Sequence, residues 1–262
     1  MKLDLATINS LAAHLEKAQQ EVRAVVKITD QHPALSFDDA YAIQYAIRQI
    51  KLAQGSRLAG LKMGLTSHAK MKQMGVSTPI YGFLTDDTAC AEGGEIDTSK
   101  LIHPKVEAEI AFVTKAPLKG PGCHIGAVLA ATDFVIPAVE IIDSRYENFR
   151  FDLPSVIADN TSAARYVLGG RAREVGELDL RTLGVVMEKN GQIVALGSGA
   201  AVLGHPASSV AMLANMLAER GEEIPAGTLI LTGGITEAIA VAAGDNITVR
   251  TQHLGSVSMR FI

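Results

Sequence analysis

The stretch His103-Pro-Lys-Val-Glu-Ala-Glu-Ile-Ala-Phe-Val113 alternates in the way expected of a β-strand with one face in the core. Successive side chains of a strand point to opposite faces, so every second residue shares a face. The apolar face is formed by Val106, Ala108, Ile110 and Phe112. Glu107 and Glu109 then point together from the other face, about 6.6 Å apart along the strand.

Two neighbouring carboxylates on one strand face repel each other, and this repulsion needs a compensating group. A divalent cation such as Mg²⁺ or Mn²⁺ compensates it directly, since hard cations prefer carboxylate oxygens and keep coordination positions open for water and substrate. The alternative interpretation places Glu107 and Glu109 on a solvated sheet face.

Glu140 is the candidate third ligand. It lies in Phe134–Asp143, a run that is otherwise apolar on both faces and that predicts a strand over Val135–Ile142. A carboxylate in such a run is unfavourable unless it is paired or bound to a metal. Pairing with Arg145 or with a lysine is the alternative.

The rest of the chain predicts an α+β fold, with helices first and mostly strands afterwards. Helices are predicted over residues 5–28, from Ser36 to Gly55, over Ser67–Met74 and over Pro206–Arg220, and an early strand over Leu58–Met63. Further strands are predicted over Leu183–Lys189 and Gln192–Leu196, joined by the turn Asn190-Gly191, and over Thr228–Thr232, Asn246–Arg250 and Ser256–Phe261. Residues 1–75 form a mainly helical part packed on a catalytic core of residues 76–262, and no linker divides them.

Two more stretches carry candidate functional residues. Lys62 lies in the apolar, glycine-rich run Arg57–Ser67, where a lysine binds a carboxylate or acts as an acid or base if it is desolvated. The alternative is a lysine at a strand end that extends to solvent. The polar cluster in Ile157–Ala164 is either a simple turn or a set of hydrogen-bond donors for a substrate.

Composition excludes several classes of protein. The 262 residues carry a net charge of −4 with both signs interspersed, so no basic surface for nucleic acid is expected. The two cysteines, Cys90 and Cys123, form no metal-binding pair, and the N-terminus lacks the order of a signal peptide. With no apolar run of spanning length, we expect no membrane segment and a cytoplasmic location.

Five motifs stand in the order found in the hydratase/decarboxylase group of the fumarylacetoacetase superfamily, and the chain resembles that group from about residue 35 to residue 262. They are Gly60–Ser67 (GLKMGLTS), Val106–Ile110 (VEAEI), Val139–Ser144 (VEIIDS), Ala158–Asn160 (ADN) and Leu231–Gly234 (LTGG).

The resemblance implies a mixed β-roll of the fumarylacetoacetase C-terminal type with a helical N-terminal part. It implies Mg²⁺, or alternatively Mn²⁺, held by Glu107, Glu109 and Glu140, a catalytic Lys62, and no organic cofactor. The substrate contacts expected on this basis are Asn160, Ser162, Thr232 and Gly233.

The implied activity is decarboxylation of 2-oxo-3-hexenedioate, a small dicarboxylate 2-oxo acid, in the meta-cleavage catabolism of aromatic compounds. The product is 2-hydroxypenta-2,4-dienoate, and the main alternative activity is the hydration of that compound. Family hydratases carry an acidic residue after the proline that here is Pro79, whereas this chain has Ile80, which favours decarboxylation. The resemblance further implies a homo-oligomer and a complex with the hydratase that consumes the product.

Two other functions are less favoured. A fumarylacetoacetase-like hydrolase needs a water-activating histidine–carboxylate pair, and His103 is the histidine beside the predicted metal strand. A non-catalytic scaffold subunit has no reason to keep three convergent carboxylates.

Overall fold

The structure, a computed structural model, describes residues 3–67, 71–72, 76 and 78–262. The helix predicted over Ser67–Met74 and the boundary predicted near residue 75 lie mainly outside these ranges. The division into residues 1–75 and 76–262 therefore stays a prediction.

The helices that lie wholly within the described ranges are α1 (Leu5–Gln20), α2 (Phe37–Ala53), α3 (Ile125–Ala131), α4 (Leu153–Ala158) and α5 (Pro206–Ala218). Helix α2 begins with the predicted capping box, in which Ser36 Oγ accepts the Asp39 N–H and the Asp39 carboxylate accepts the Ser36 N–H.

The first helix is shorter than the sequence predicts. It ends at Gln20, where the Arg23 N–H bonds to the Ala18 carbonyl and Val22 takes a φ of 51°. Val25 then pairs with the loop at Arg145, since the Val25 N–H donates to the Arg145 carbonyl. The prediction of helix to residue 28 was wrong because this tertiary pairing competes with continued helix.

The strands are β1 (Leu58–Gly64), β2 (Ile80–Thr85), β3 (Ala89–Cys90), β4 (Glu95–Ile96), β5 (Lys105–Thr114), β6 (Thr132–Ile142), β7 (Ala163–Leu168), β8 (Gly184–Lys189), β9 (Gln192–Ser198), β10 (Leu229–Leu231), β11 (Ile239–Ala240), β12 (Asn246–Thr251) and β13 (Gly255–Phe261). The predicted strands and the hairpin at Asn190-Gly191 are present, with ends shifted by a few residues.

The strands form two mixed sheets, which confirms the predicted α+β roll. The larger sheet has the order β2-β1-β10-β5-β6-β7-β3, with β11 added alongside β5, and the smaller sheet has the order β4-β13-β12-β8-β9. Strand β1 comes from the N-terminal part of the chain but lies between β2 and β10 in the larger sheet. The N-terminal part of the chain therefore contributes a strand to the sheet of the core.

Strand β5 lies at the centre of the larger sheet and has the predicted two-faced character. The apolar residues of one face are fully buried in the main core: Val106, Ala108, Ile110 and Phe112. On the opposite face, Glu109 is fully buried and Glu107 is partly exposed. Along that face, burial therefore decreases from Glu109 towards Lys105, which opens this end of the strand to solvent.

One stretch of the described residues, Gly199–Ala218, has the length and apolar composition that a membrane span requires. A turn interrupts it before Pro206, and the 13 residues of α5 span only about 20 Å, less than the roughly 30 Å of a bilayer core. Eight residues of α5 are buried against the fold, as expected for a core helix.

The capping box of α2 gives a prediction about stability. Ser36→Ala removes the acceptor for the Asp39 N–H, so we expect the free energy of unfolding to fall by about 1 kcal/mol. Urea unfolding followed by circular dichroism measures it. Ser10→Ala, on the exposed side of α1, is the matched control and should not destabilise the protein. Equal stability of Ser36→Ala and the wild type would contradict the cap.

Candidate active site

The structure brings together the three carboxylates that the sequence singles out. Glu107 on β5 lies directly opposite Glu140 on β6 in the antiparallel ladder, and Glu109 lies two residues further along β5. One oxygen from each of Glu107, Glu109 and Glu140 lies within 4.8 Å of the other two. Glu109 and Glu140 have no solvent-exposed surface.

Burial makes this cluster electrostatically unfavourable on its own. Burial, followed by the charges of Glu140 and Glu107, raises the pKa of Glu109 well above its usual range. Burial also raises the pKa of Glu140, although the neighbouring Lys62 opposes the shift. Both carboxylates therefore favour a state in which their negative charge is neutralised, by protons or by a cation.

The donor set fits a hard divalent cation. Within the described residues, Oε1 of Glu109 and Oε1 of Glu140 have no hydrogen-bond partner although both atoms are buried. Oε2 of Glu109 accepts the Gly233 N–H at 2.6 Å, which fixes the direction of this carboxylate. Buried carboxylate oxygens that converge without donors are the ligands expected for Mg²⁺ or Mn²⁺.

Lys62 lies beside this cluster and not at the surface. It is 2% exposed, its Nζ lies 3.1 Å from Oε2 of Glu140, and Nζ also donates to the Thr161 carbonyl at 3.1 Å. Strands β1 and β6 are three positions apart in the sheet, about 14 Å if the sheet were flat. The contact between Lys62 and Glu140 therefore depends on the curl of the sheet.

The polar cluster after α4 is a strained turn that contacts the lysine. Asn160, Thr161 and Ser162 all take left-handed backbone conformations, with φ of 48°, 52° and 60°. Such conformations are unfavourable for residues other than glycine and are found at functional sites. Oγ1 of Thr161 and Oγ of Ser162 are buried and have no hydrogen-bond partner among the residues that the structure describes.

Asn160 has a structural role in this turn. Its Oδ1 accepts the Phe83 N–H at 2.9 Å, and its Nδ2 donates to the Phe83 carbonyl at 3.0 Å. This leaves at most one amide hydrogen for a ligand. Ser162, with its unpartnered hydroxyl, is the better placed of the two predicted substrate contacts in this turn.

Thr232 and Gly233 also have roles within the protein. The Thr232 hydroxyl donates to the Ile110 carbonyl, and its own carbonyl accepts the Ser209 hydroxyl, so Thr232 ties β10 to β5 and α5. Gly233 has a φ of 100°, and a Cβ there would lie 2.1 Å from Oγ1 of Thr66. We therefore propose that Thr232 has a structural role in supporting the site and that Gly233 orients the Glu109 carboxylate.

Sequence reasoning missed Thr161 and Gly82. Gly82 lies opposite Lys62 in the β1–β2 ladder, and a Cβ there would lie 2.7 Å from Oγ1 of Thr161. The absence of a side chain at Gly82 thus lets the strained turn approach the lysine. No strand was predicted here from the sequence, and the available signal was a glycine within the apolar run that forms β2, because a glycine inside a strand marks a close approach of another segment.

These features define a mixed β-roll with a buried tri-carboxylate centre and an adjacent lysine. The family model for the C-terminal domain of fumarylacetoacetate (FAA) hydrolase matches residues 42–262. The chain therefore belongs to the fumarylacetoacetate hydrolase family.

Individual relatives narrow the comparison. A 4-oxalocrotonate decarboxylase of Pseudomonas sp. (strain CF600) is 68% identical over 253 residues, covering 97% of this chain and 96% of the relative. The solved structure of 4-oxalocrotonate decarboxylase from Pseudomonas putida G7, complexed with magnesium and adipate, superposes with a TM-score of 0.98 at 64% identity, covering 100% of this chain and 99% of the other. A 2-oxo-hept-4-ene-1,7-dioate hydratase of Escherichia coli is 39% identical, covering 99% of each chain.

The tri-carboxylate centre gives a prediction about metal binding. Wild-type protein should be stabilised by Mg²⁺, by about 2.7 kcal/mol at a concentration 100 times the Kd. Glu109→Gln removes one buried charge and one ligand, so without metal it should unfold at or above the wild-type temperature, and Mg²⁺ should no longer stabilise it. Thermal unfolding with Mg²⁺ or EDTA measures both effects.

Glu237→Gln is the matched control, since Glu237 is exposed. It should keep the wild-type response to Mg²⁺. If Mg²⁺ stabilised Glu109→Gln as much as the wild type, this would show that Glu109 is not a metal ligand.

Proposed function

We propose that this chain decarboxylates 4-oxalocrotonate (2-oxo-3-hexenedioate) to 2-hydroxypenta-2,4-dienoate and CO₂, with a divalent cation at Glu107, Glu109 and Glu140. The observation that carries the proposal is the buried tri-carboxylate centre with Lys62 at 3.1 Å from Glu140, in a chain 68% identical to a decarboxylase of that name. Adipate, present in the similar structure, is a six-carbon dicarboxylate like this substrate.

The reaction requires an acceptor for electrons at the 2-oxo end of the substrate. When the C5–C6 bond breaks and CO₂ leaves, its electron pair remains on C5 and delocalises through the C3–C4 double bond onto the 2-oxo oxygen. Protonation of that oxygen gives 2-hydroxypenta-2,4-dienoate. A bound divalent cation supplies Lewis-acid stabilisation of negative charge at this end of the substrate.

Lys62 is the protein's own group for the developing charge. Its ammonium is held by Glu140 and the Thr161 carbonyl, so it stays in place without rearrangement during the reaction. From this position it stabilises the dienolate and delivers a proton to it. The Ser162 and Thr161 hydroxyls, which lack partners, are available to orient the remaining substrate oxygens.

Ile80 supports decarboxylation over hydration. It begins β2 and is 4% exposed. It pairs with Gly64, two ladder positions beyond the Lys62–Gly82 pair and so on the same face of the sheet. An acidic residue at this position, as in family hydratases, would lie near Lys62 and activate water. The apolar Ile80 instead excludes water from the lysine, and the hydratase relative is also the more distant one.

A fumarylacetoacetase-like hydrolase finds less support. Nε2 of His103 is buried without a hydrogen-bond partner within the described residues, and the ring packs against Phe149 at 5.2 Å. Nε2 of His103 is therefore not paired with a carboxylate of the described residues, as a water-activating pair requires.

The activity is tested with both substrates on one preparation. We expect Mg²⁺-loaded protein to release CO₂ from 4-oxalocrotonate and to leave 2-hydroxypenta-2,4-dienoate essentially unchanged. Consumption of the dienoate without CO₂ release from the dicarboxylate would replace the proposal by the hydratase. For the metal we propose Mg²⁺, with Mn²⁺ as the alternative, and no organic cofactor. Activity removed by EDTA should return with either ion alone.

Lys62→Met should lower kcat/KM for 4-oxalocrotonate by roughly 100-fold or more, because it removes the acid–base and charge-stabilising group. Mg²⁺ binding should persist, since the three carboxylates remain. Steady-state kinetics and Mg²⁺-dependent thermal unfolding measure the two effects. Lys51→Met, which breaks an ion pair with Glu16 away from the site, is the control. A near wild-type rate for Lys62→Met would show that another group donates the proton.

We also propose a cytoplasmic homo-oligomer that associates with the hydratase consuming its product. Supporting it, the edge strand β9 exposes Ile193 and Leu196, 63% and 68% accessible, together with free backbone groups that another chain can cover. Co-expression with such a hydratase and gel filtration with light scattering should give one co-eluting species. Separate elution at micromolar concentration would exclude a stable complex.

A further inference from the structure

The substrate proposed above has two carboxylates, and the tri-carboxylate centre with Lys62 accounts for only one end. Along the face of β5, the substrate can extend from this centre in two directions. Beyond Glu109 the face is closed by a buried apolar cluster, which consists of Leu84, Ala111, Ala138, Tyr166, Leu229 and Leu231. A carboxylate placed there would be desolvated without a partner, which is unfavourable.

The opposite direction leads to Lys105. It lies two residues before Glu107 on the same face of β5, and it pairs with Ile142, two ladder positions from the Glu107–Glu140 pair. Lys105 is half-buried, as is Glu107, whereas Glu109 is fully buried, so the site opens towards Lys105. Two residues of a strand span about 6.6 Å, comparable to an extended six-carbon chain.

The ammonium of Lys105 is held in place but is not neutralised by an ion pair. Its Nζ lies 4.1 Å from the centre of the Phe149 ring, and Phe149 is itself packed against His103 and Phe151. Within the described residues, Lys105 has no carboxylate in ion-pair contact, whereas Lys100 and Lys189 do. An aromatic ring fixes a cation without removing its capacity to bind an anion.

From this placement we propose that Lys105 binds the distal carboxylate of the dicarboxylate substrate and so selects dicarboxylates over monocarboxylates. This inference rests on the proposed function, because it names how the same site recognises the far end of that substrate. The distal carboxylate is the group that leaves as CO₂, so Lys105 binds the substrate before its charge has moved to the 2-oxo end. It therefore contributes to substrate binding more than to the rate of bond cleavage.

Two unreactive ligands test the distal contact directly. 2-Oxohexanedioate and 2-oxohexanoate have the same chain and the same 2-oxo acid end, and differ by the distal carboxylate alone. Neither has the C3–C4 double bond, so electrons from C5 cannot reach the 2-oxo group and neither is decarboxylated. Calorimetric titration of the Mg²⁺-loaded protein should show that the dicarboxylate binds about tenfold or more tightly than the monocarboxylate.

Lys105→Met should bring the two affinities within about twofold by weakening the dicarboxylate alone. Unchanged binding of 2-oxohexanoate shows at the same time that the variant is folded and that its metal centre is intact. Lys115→Met, an exposed lysine just beyond the other end of β5, should keep the wild-type preference. Lys105→Arg should retain most of it.

Kinetics give an independent readout. Lys105→Met should raise KM for 4-oxalocrotonate about tenfold or more without lowering kcat, because the lost charge stabilised the substrate and not the dienolate. A fall in kcat at unchanged KM would place Lys105 at the reacting end and overturn the proposal. So would a wild type without preference for the dicarboxylate, or an equal loss of affinity for both ligands.

The two proposals fail separately. If the wild type discriminates between the ligands but releases no CO₂ from 4-oxalocrotonate, the distal site is supported and the proposed activity is wrong. If it releases CO₂ but does not discriminate, the activity is supported and the distal site is wrong.

Discussion

The convergence of three like-charged carboxylates on two adjoining strands, two of them fully buried, is the constraint on which the rest of the site depends. Glu109 and Glu140 have no solvent-exposed surface, and Glu107 lies opposite Glu140 in the ladder. In a protein interior such charges are strongly unfavourable unless cations and hydrogen bonds compensate them. Lys62 and the Gly233 N–H supply part of this compensation, and we propose that a divalent cation supplies the rest.

The surrounding backbone is shaped to bring these compensating groups within reach. The left-handed turn of Asn160–Ser162 directs the Thr161 carbonyl towards Lys62, which donates a hydrogen bond to it. A buried ion pair between Arg145 and Asp159, just before the turn, maintains its strained conformation. The Arg145 guanidinium also donates to the carbonyls of Asp143 and Ala163, so it ties both sides of the turn together. Removing one partner of such a pair leaves a buried charge, which makes the frame intolerant of change.

The residue pattern within a single helix or strand was sufficient to predict the features that depend on that element alone. The alternation in β5 predicted its buried face and the shared direction of Glu107 and Glu109, and the Ser36–Asp39 pair predicted the start of α2. The apolar surroundings of Glu140 and Lys62 marked both as candidates, and the resemblance to the family implied that they belong to one metal site with Glu107 and Glu109. Long-range geometry was not predictable in this way. The contact between Lys62 and Glu140 depends on the curl of a sheet, and the end of α1 depends on pairing with a loop far along the chain.

The contrast between local pattern and long-range geometry also explains why some of the predicted substrate contacts have structural roles. Asn160 and Thr232 have side chains suited to binding a ligand, but long-range hydrogen bonds to Phe83 and Ile110 engage them, and no pattern in one sequence reveals such bonds. Thr161 was overlooked because its role follows from the backbone conformation of the turn and from the missing side chain of Gly82. The sequence thus indicated the chemical groups of the site. The three-dimensional structure was needed to distinguish groups available to bind a ligand from groups that support the site.

The location of the metal tests the central claim most directly. In crystals grown with Mn²⁺, anomalous scattering recorded near the manganese absorption edge places the ion without assumptions about its ligands. The account predicts one strong peak between Glu107, Glu109 and Glu140, with an oxygen of each at coordination distance, which is about 2.1 Å for Mg²⁺. A peak elsewhere, or an ion that Glu140 does not coordinate, would contradict it.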